Sequence, residues 1–367
     1  VTPAAAEPAG KNLAAEASPR RGDDLRQEQG ADYRYFDLRG SHFAIGYEMG
    51  RASPMRAVRT WRDRRTELLF AEACVRQVAR FHPALPEEVW GFAAGQDRGR
   101  NEVLSHFSLN LPEGRLSACT TLAARLPDGH MLIARNYDFV YSQRQRYLRR
   151  VAPGGYPASL GTQAGLIGSC YDGVSSKGLF VALHLIHAQI APDVPPGIPY
   201  HLIPRVLLET CDTARMAVDQ LLRIPHMFPF NYLVADRAGA YAVEAYPGRV
   251  RVRGLEHNRL VVTNYFAHAD MRPLQGRRKL GSQRLRVRWL EQEVDLNLPS
   301  SAREAWPWAR AVLSDHDAPM CHHRPTQATL WATIVDLTAR RIAYCLGAPC
   351  RNEFAIYEWP SAGRAEA

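Results

Sequence analysis

The sequence predicts an α+β layered fold from three observations: a mainly helical first third, a series of short strands joined by hairpin turns after Ser117, and no regular strand-helix alternation. A doubly wound parallel sheet needs that alternation and is set aside.

Taken in order, residues 1–30 are rich in Ala, Pro, Glu and Arg and lack the apolar stretch of a secretory signal, so a disordered leader is expected. Tyr33 to Gly40 reads as a short strand ended by glycine. Leu68, Leu69, Ala73, Val75 and Val78 among Arg and Glu predict helix from Phe43 to about Phe81, and after Pro83 and Pro86 a short helix covers Glu87 to Gly95. Cys119 to Leu126 and His130 to Phe139 form a hairpin about Pro127-Asp128-Gly129, where glycine tolerates positive φ. Ala164 to Gly168 and Leu179 to Leu185 continue the strands, with Asp172-Gly173 and Lys177-Gly178 as turns. Thr213 is placed as the N-cap of a helix reaching Leu222. Strands Tyr232 to Ala235 and Tyr241 to Ala245 follow, then strand Leu260 to Thr263, helix Ser282 to Glu293, and a closing hairpin of Thr329 to Leu337 with Arg341 to Leu346.

The 367 residues, 46% hydrophobic, suffice for a sizeable core. No run of 18 apolar residues is present, so no membrane span is expected, and without a visible signal the reading is a cytoplasmic protein. The net charge of +9 comes mostly from Arg, with clusters at Arg144 to Arg150 and Arg277 to Arg288. Such a balance suits an anionic ligand, a carboxylate or a coenzyme A phosphate, and no zinc-finger, recognition-helix or aromatic RNA-binding signature points to nucleic acid. Seven irregularly spaced cysteines with no Cys-x-x-Cys argue against a disulfide framework. Cys321-His322-His323 lacks partners at metal-site spacing, so no metal is expected there. No organic cofactor is implied either.

Cys119 opens a strand behind the small residues Ser117 and Ala118 and ahead of Thr120-Thr121. A lone strand cysteine behaves as a small hydrophobe. A papain-type Cys-His protease would set its cysteine at a helix N-terminus, which the strand reading opposes.

The neighbourhood of Cys119 is more specific. SACTTLAARLPDGHMLIARNYDF resembles the nucleophile hairpin of N-terminal nucleophile (Ntn) hydrolases, most of all the acyl-coenzyme A:6-aminopenicillanic acid acyltransferase-like family (C45 peptidases), with bile salt hydrolases and acid ceramidases further off. FDLRGSHFAIGYEMG, EEVWGFAAGQ, YDGVSSKGLFVAL, FNYLVADRAGAYAVEAYPG, VVTNYF and TLWATIVDLTARR resemble further blocks in order, from about Tyr35 to Cys350. The resemblance implies a four-layer αββα sandwich in one compact domain. It also implies a precursor that cuts its own Ala118–Cys119 bond into a helical prosegment (31–118, behind the leader) and a catalytic part (119–367) that stay associated. One residue would then supply a thiol nucleophile and an α-amine base, whose ordinary pKa of about 7.7–8.0 suits neutral pH.

By the same resemblance Arg135 and Asp138 match an RNxD motif, Asp138 orienting the new ammonium and Arg135 lowering the thiol pKa and facing substrate. Asn264, with Asn231 behind it, is a candidate oxyanion donor. Arg284 or Arg324 would supply a substrate-binding arginine from the C-terminal half, and His184 falls where relatives carry Asn or Thr. The implied reaction is cleavage or transfer of an acyl group from an amide or thioester, coenzyme A thioesters included, through acyl-Cys119. The competing reading is an uncut, inactive binding member of the same fold.

Overall fold

The layer order follows from the two faces of the long hairpin. The computed structural model describes residues 28, 30–55, 63–108, 119–188, 193–275, 281–318 and 320–361. Strand β2 (Thr120–Arg125) pairs antiparallel with β3 (Met131–Val140) across Gly129, at φ +88°. Ile133, Tyr137 and Phe139 of β3 enter one apolar cluster while Leu132 and Ala134 enter another, so the hairpin is covered on both sides.

The hairpin is the centre of a six-stranded antiparallel sheet, flanked by β11 (Arg259–Val262) on one side and β12 (Gln327–Asp336), β13 (Arg341–Leu346) and β14 (Ala355–Tyr357) on the other. Facing it is an eight-stranded sheet whose spatial order is β1 (Tyr35–Gly40), β4 (Tyr147–Pro153), β5 (Ser159–Gln163), β6 (Asp172–Ser175), β7 (Phe180–Leu185), β8 (Phe230–Ala235), β9 (Ala240–Tyr246) and β10 (Arg249–Gly254). Among the pairings of these eight strands, β1–β4 alone is parallel. Helices α1 (His42–Ala52), α2 (Arg64–Phe81), α3 (Leu85–Gly95), the short α4 (Arg100–Val103), α5 (Ile203–Thr210) and α6 (Ala214–Arg223) gather on the eight-stranded side. Helices α7 (Gly281–Asn297) and α8 (Ala302–Ser314) cover the other sheet, Leu290, Val294, Ala309 and Val312 packing with Leu122, Ala134 and Ile334. The result is the αββα sandwich that the sequence implied.

Several elements depart from the sequence reading. The single helix expected from Phe43 to Phe81 is two: α1 stops at Ser53, and Pro54 cannot continue it. Ala164 to Gly168 is a turn, with Gly165 and Gly168 at φ +69° and +66°, and the strand lies just before it. Asp172-Gly173 is strand, not turn. Gly173 is the register partner of Gly161, and a Cβ on it would sit 2.7 Å from the Leu160 carbonyl, so glycine serves close strand approach there. The Arg144 to Arg150 cluster runs into the first half of β4, and Arg149 is buried against Glu88. Of the expected leader, only Glu28 and Gly30 fall among the described residues.

Two features lock the N-terminal helices. Gly46 and Gly50 of α1 face Gly91 and Gly95 of α3 so closely that a Cβ on Gly91 would lie 2.0 Å from the Phe43 carbonyl oxygen. Backbone cannot yield as a side chain does, so Gly91→Ala is expected to lower stability by about 3 kcal/mol, measured by urea unfolding. Beside this contact, Glu88 takes Arg149 at 2.7 Å and Arg205 at 2.8 Å, while Glu209 takes Arg205, His42 and His82. Burial alone would raise the Glu88 carboxyl, but the two guanidinium charges hold it down at about 2.

Candidate active site

Cys119 stands at the entry to β2, 1% exposed, with its thiol donating to the Asp138 backbone carbonyl at 3.9 Å. Ala118 lies outside the described residues, so the Ala118–Cys119 bond does too. The cysteine belongs to the cluster between the sheets. There Tyr137 stacks on Trp331 at 3.8 Å and 5°, and Tyr171 meets Tyr137 edge-on.

Asp138 points the other way, toward α7. Its Oδ2 accepts from Arg286 Nη2 at 2.7 Å and its Oδ1 from the Thr329 hydroxyl at 2.7 Å, with His322 Nε2 at 3.9 Å. Arg286 also donates to Thr120 Oγ1 and to the Met320 carbonyl. Thr329 reaches the carboxylate because β12 carries a bulge between Thr329 and Trp331. The extra residue sends both Leu330 and Trp331 into the inter-sheet core and turns Thr329 to the opposite face.

Arg135 lies fully buried between the sheets with its donors engaged. It gives Nε to Asp172 Oδ2 at 2.9 Å, Nη1 to Thr121 Oγ1 and His184 Nε2, and Nη2 to the Leu183 carbonyl. Asp172 also accepts from Trp331 Nε1 at 2.8 Å, so one carboxylate of β6 ties together two strands of the facing sheet. Burial, reinforced by the Arg135 charge, holds the His184 imidazole well below its usual range. It is neutral and serves as an acceptor for Arg135.

Asn264 follows β11, whose Val262 pairs with Thr121, so the register carried two residues on reaches the level of Cys119. It is buried, and its amide donates to the Leu185 carbonyl at 2.8 Å. Asn231 instead spends its amide on the Thr263 and Tyr265 carbonyls. Arg284 is exposed on α7 and Arg324 half-buried. The arginine that α7 turns inward is Arg286, two residues beyond the one anticipated. Its position four residues before Leu290 and eight before Val294 is the periodic signal that marks it. Asp172, Thr329 and Thr121 were not anticipated either.

Residues 125–351 match the model of the family described as acyl-coenzyme A:6-aminopenicillanic acid acyl-transferase. Among solved structures, two variants of the conjugated bile acid hydrolase from Clostridium perfringens are similar at 14% identity. One has TM-score 0.47, covering 66% of this chain and 97% of the hydrolase. The other has TM-score 0.45, covering 68% and 99%. The N-acylethanolamine-hydrolyzing acid amidase ortholog of Caenorhabditis elegans is similar at 16% identity and TM-score 0.44, covering 60% and 93%. No curated protein matches the chain.

Proposed function

Because the chain belongs to the acyl-coenzyme A:6-aminopenicillanic acid acyl-transferase family, enzymes of the amidohydrolase and acyltransferase class, we propose that it cuts its own Ala118–Cys119 bond and then carries acyl groups on Cys119. The observation that supports this most is the place of Cys119 beside Asp138, its thiol on the Asp138 backbone carbonyl while the Asp138 carboxylate is held by Arg286 and Thr329. A carboxylate has about four lone-pair sites, so these two donors leave room for an ammonium.

In the first step the Cys119 sulfur attacks the Ala118 carbonyl carbon. The C–N bond breaks as C–S forms and the nitrogen takes the thiol proton, which frees the α-amine; water then hydrolyses the thioester, returning the Cys119 thiol and leaving Ala118 as a new carboxylate terminus. In turnover that amine accepts the thiol proton, the sulfur attacks the substrate acyl carbon, and the departing amine or thiol leaves with the proton. Water or an acceptor amine then takes the acyl group from sulfur. Asp138 orients the ammonium, and the Arg135 charge, fixed by Asp172, lowers the thiol pKa. Asn264, at the level of Cys119 and with its amide on the Leu185 carbonyl, serves the developing oxyanion. Arg284 and Arg324 are kept as substrate contacts at the rim, with Arg286 the inner arginine. The acyl donor is a small amide or a thioester such as that of coenzyme A. The cut parts stay together because β1 is a strand of the eight-stranded sheet and Glu88 is held by Arg149 and Arg205 from beyond the cut.

Intact masses of the full chain and of Cys119→Ala, taken under denaturing and reducing conditions, test the proposal. The expected result is two polypeptides divided at Ala118–Cys119 from the first and one from the second. Two folded, uncut chains would instead support the inactive binding member.

A further inference from the structure

Away from the Cys119 site, the turn after α8, the chain leading into β12 and the turn after β13 bring together His316, Cys321, His323 and Cys350. Their four donor atoms lie within 4.8 Å of one another. The sulfurs of Cys321 and Cys350 are 3.6 Å apart, Cys321 Sγ is 3.5 Å from His323 Nε2, and His323 Nε2 is 3.0 Å from Cys350 Sγ. The His316 ring stands edge-on to His323 with centroids 5.4 Å apart.

We propose that these four residues bind a structural zinc ion. Zinc takes thiolate sulfur at about 2.3 Å and imidazole nitrogen at about 2.0–2.1 Å in a tetrahedron, which puts sulfurs about 3.8 Å apart and sulfur and nitrogen about 3.6 Å apart. The observed separations are already close to that figure, and the 3.0 Å contact needs to open by only about 0.6 Å. Two soft sulfurs and two imidazoles are a zinc set, and none of the four donors is a carboxylate that would favour calcium or magnesium. Cys321 is buried, His323 and Cys350 are half-buried, and His316 is exposed, which leaves a path for the ion.

A second histidine cluster shows what a non-ligand arrangement looks like. His42 and His82 both aim Nε2 at one oxygen of Glu209, and His82 Nδ1 accepts the Leu85 N–H, so His82 Nε2 carries the proton. That cluster is a hydrogen-bonded knot.

The ion would pin the segment that carries Met320 and His322. The Met320 carbonyl accepts from Asn136 at 2.9 Å and from Arg286, so metal and Asp138 share one support.

The full chain, purified under reducing conditions with added zinc and then desalted, is assayed for metal by mass spectrometry, and cobalt is exchanged for zinc. One zinc per chain and the visible bands of tetrahedral thiolate-cobalt are expected. Because His316 is exposed, His316→Ala should leave the fold intact by circular dichroism while weakening zinc binding at least about a hundredfold. Cys350→Ser should abolish the sulfur-to-cobalt charge-transfer intensity of its ligand. A folded, reduced chain that retains less than about a tenth of an equivalent of zinc and gives no cobalt bands overturns the proposal, as does a Cys321–Cys350 disulfide found in its place. These readouts do not depend on whether Ala118–Cys119 is cut.

Discussion

Asp138→Asn is expected to lose about 3–5 kcal/mol of stability and to slow self-cleavage by about a hundredfold or more, read by urea unfolding and by the time course of chain cutting. The stability loss arises because Arg286, 1% exposed, keeps its charge when its carboxylate partner is gone. The cleavage loss has another origin: the group proposed to hold the Cys119 nitrogen disappears. The double variant Asp138→Asn/Arg286→Met separates the two. Removing both buried charges together returns most of the stability, whereas cleavage stays slow. Recovery of stability and cleavage together would make Asp138 a packing partner of Arg286 and nothing more.

The sequence discloses local features of this site and hides those made by long-range geometry. The hairpin is legible because Pro127-Asp128-Gly129 turns the chain and the flanking runs are apolar, and it sets Thr121 opposite Arg135. Which side of the sheet each residue faces is less apparent, since both faces of β3 are buried and hydrophobicity does not alternate. Arg135 thus goes between the sheets while Asp138 goes toward α7. Asp172 was concealed by the Asp-Gly pair, ordinarily a turn signal, because its glycine answers to Gly161 in the neighbouring strand. Thr329 depends on a bulge that leaves no compositional mark. Cys321 and His323 were visible as a motif, but Cys350 reaches them only through the β12–β13 hairpin.

Lowering the pH from 7 toward 5 is expected to destabilise the folded chain steeply, well before its carboxylates titrate. Burial pushes the imidazoles of His106 and His226 down to about 4 and that of His201 down to about 3, while His184 is held well below 6.5 by burial and by Arg135. In the unfolded chain all four take up protons near 6.5, and in the folded chain they do not. Stability therefore rises with pH wherever the unfolded state holds more protons, and it is lost as pH falls from about 6.5 toward the folded values. Each such histidine contributes about 1.4 kcal/mol per pH unit across that window, so four together outweigh most single interactions in the fold. The depressed Glu88 carboxyl acts in the same direction only below about 4.5, its unfolded value. His201 isolates the effect, since neither of its ring nitrogens has a hydrogen-bond partner among the described residues. His201→Phe keeps a ring in that space and removes the titrating group. Urea midpoints at pH 7.5 and 5.5 should differ less in this variant than in the wild type, by about 1.4 kcal/mol per pH unit below 6.5. Equal pH slopes would show that His201 is already protonated in the folded chain.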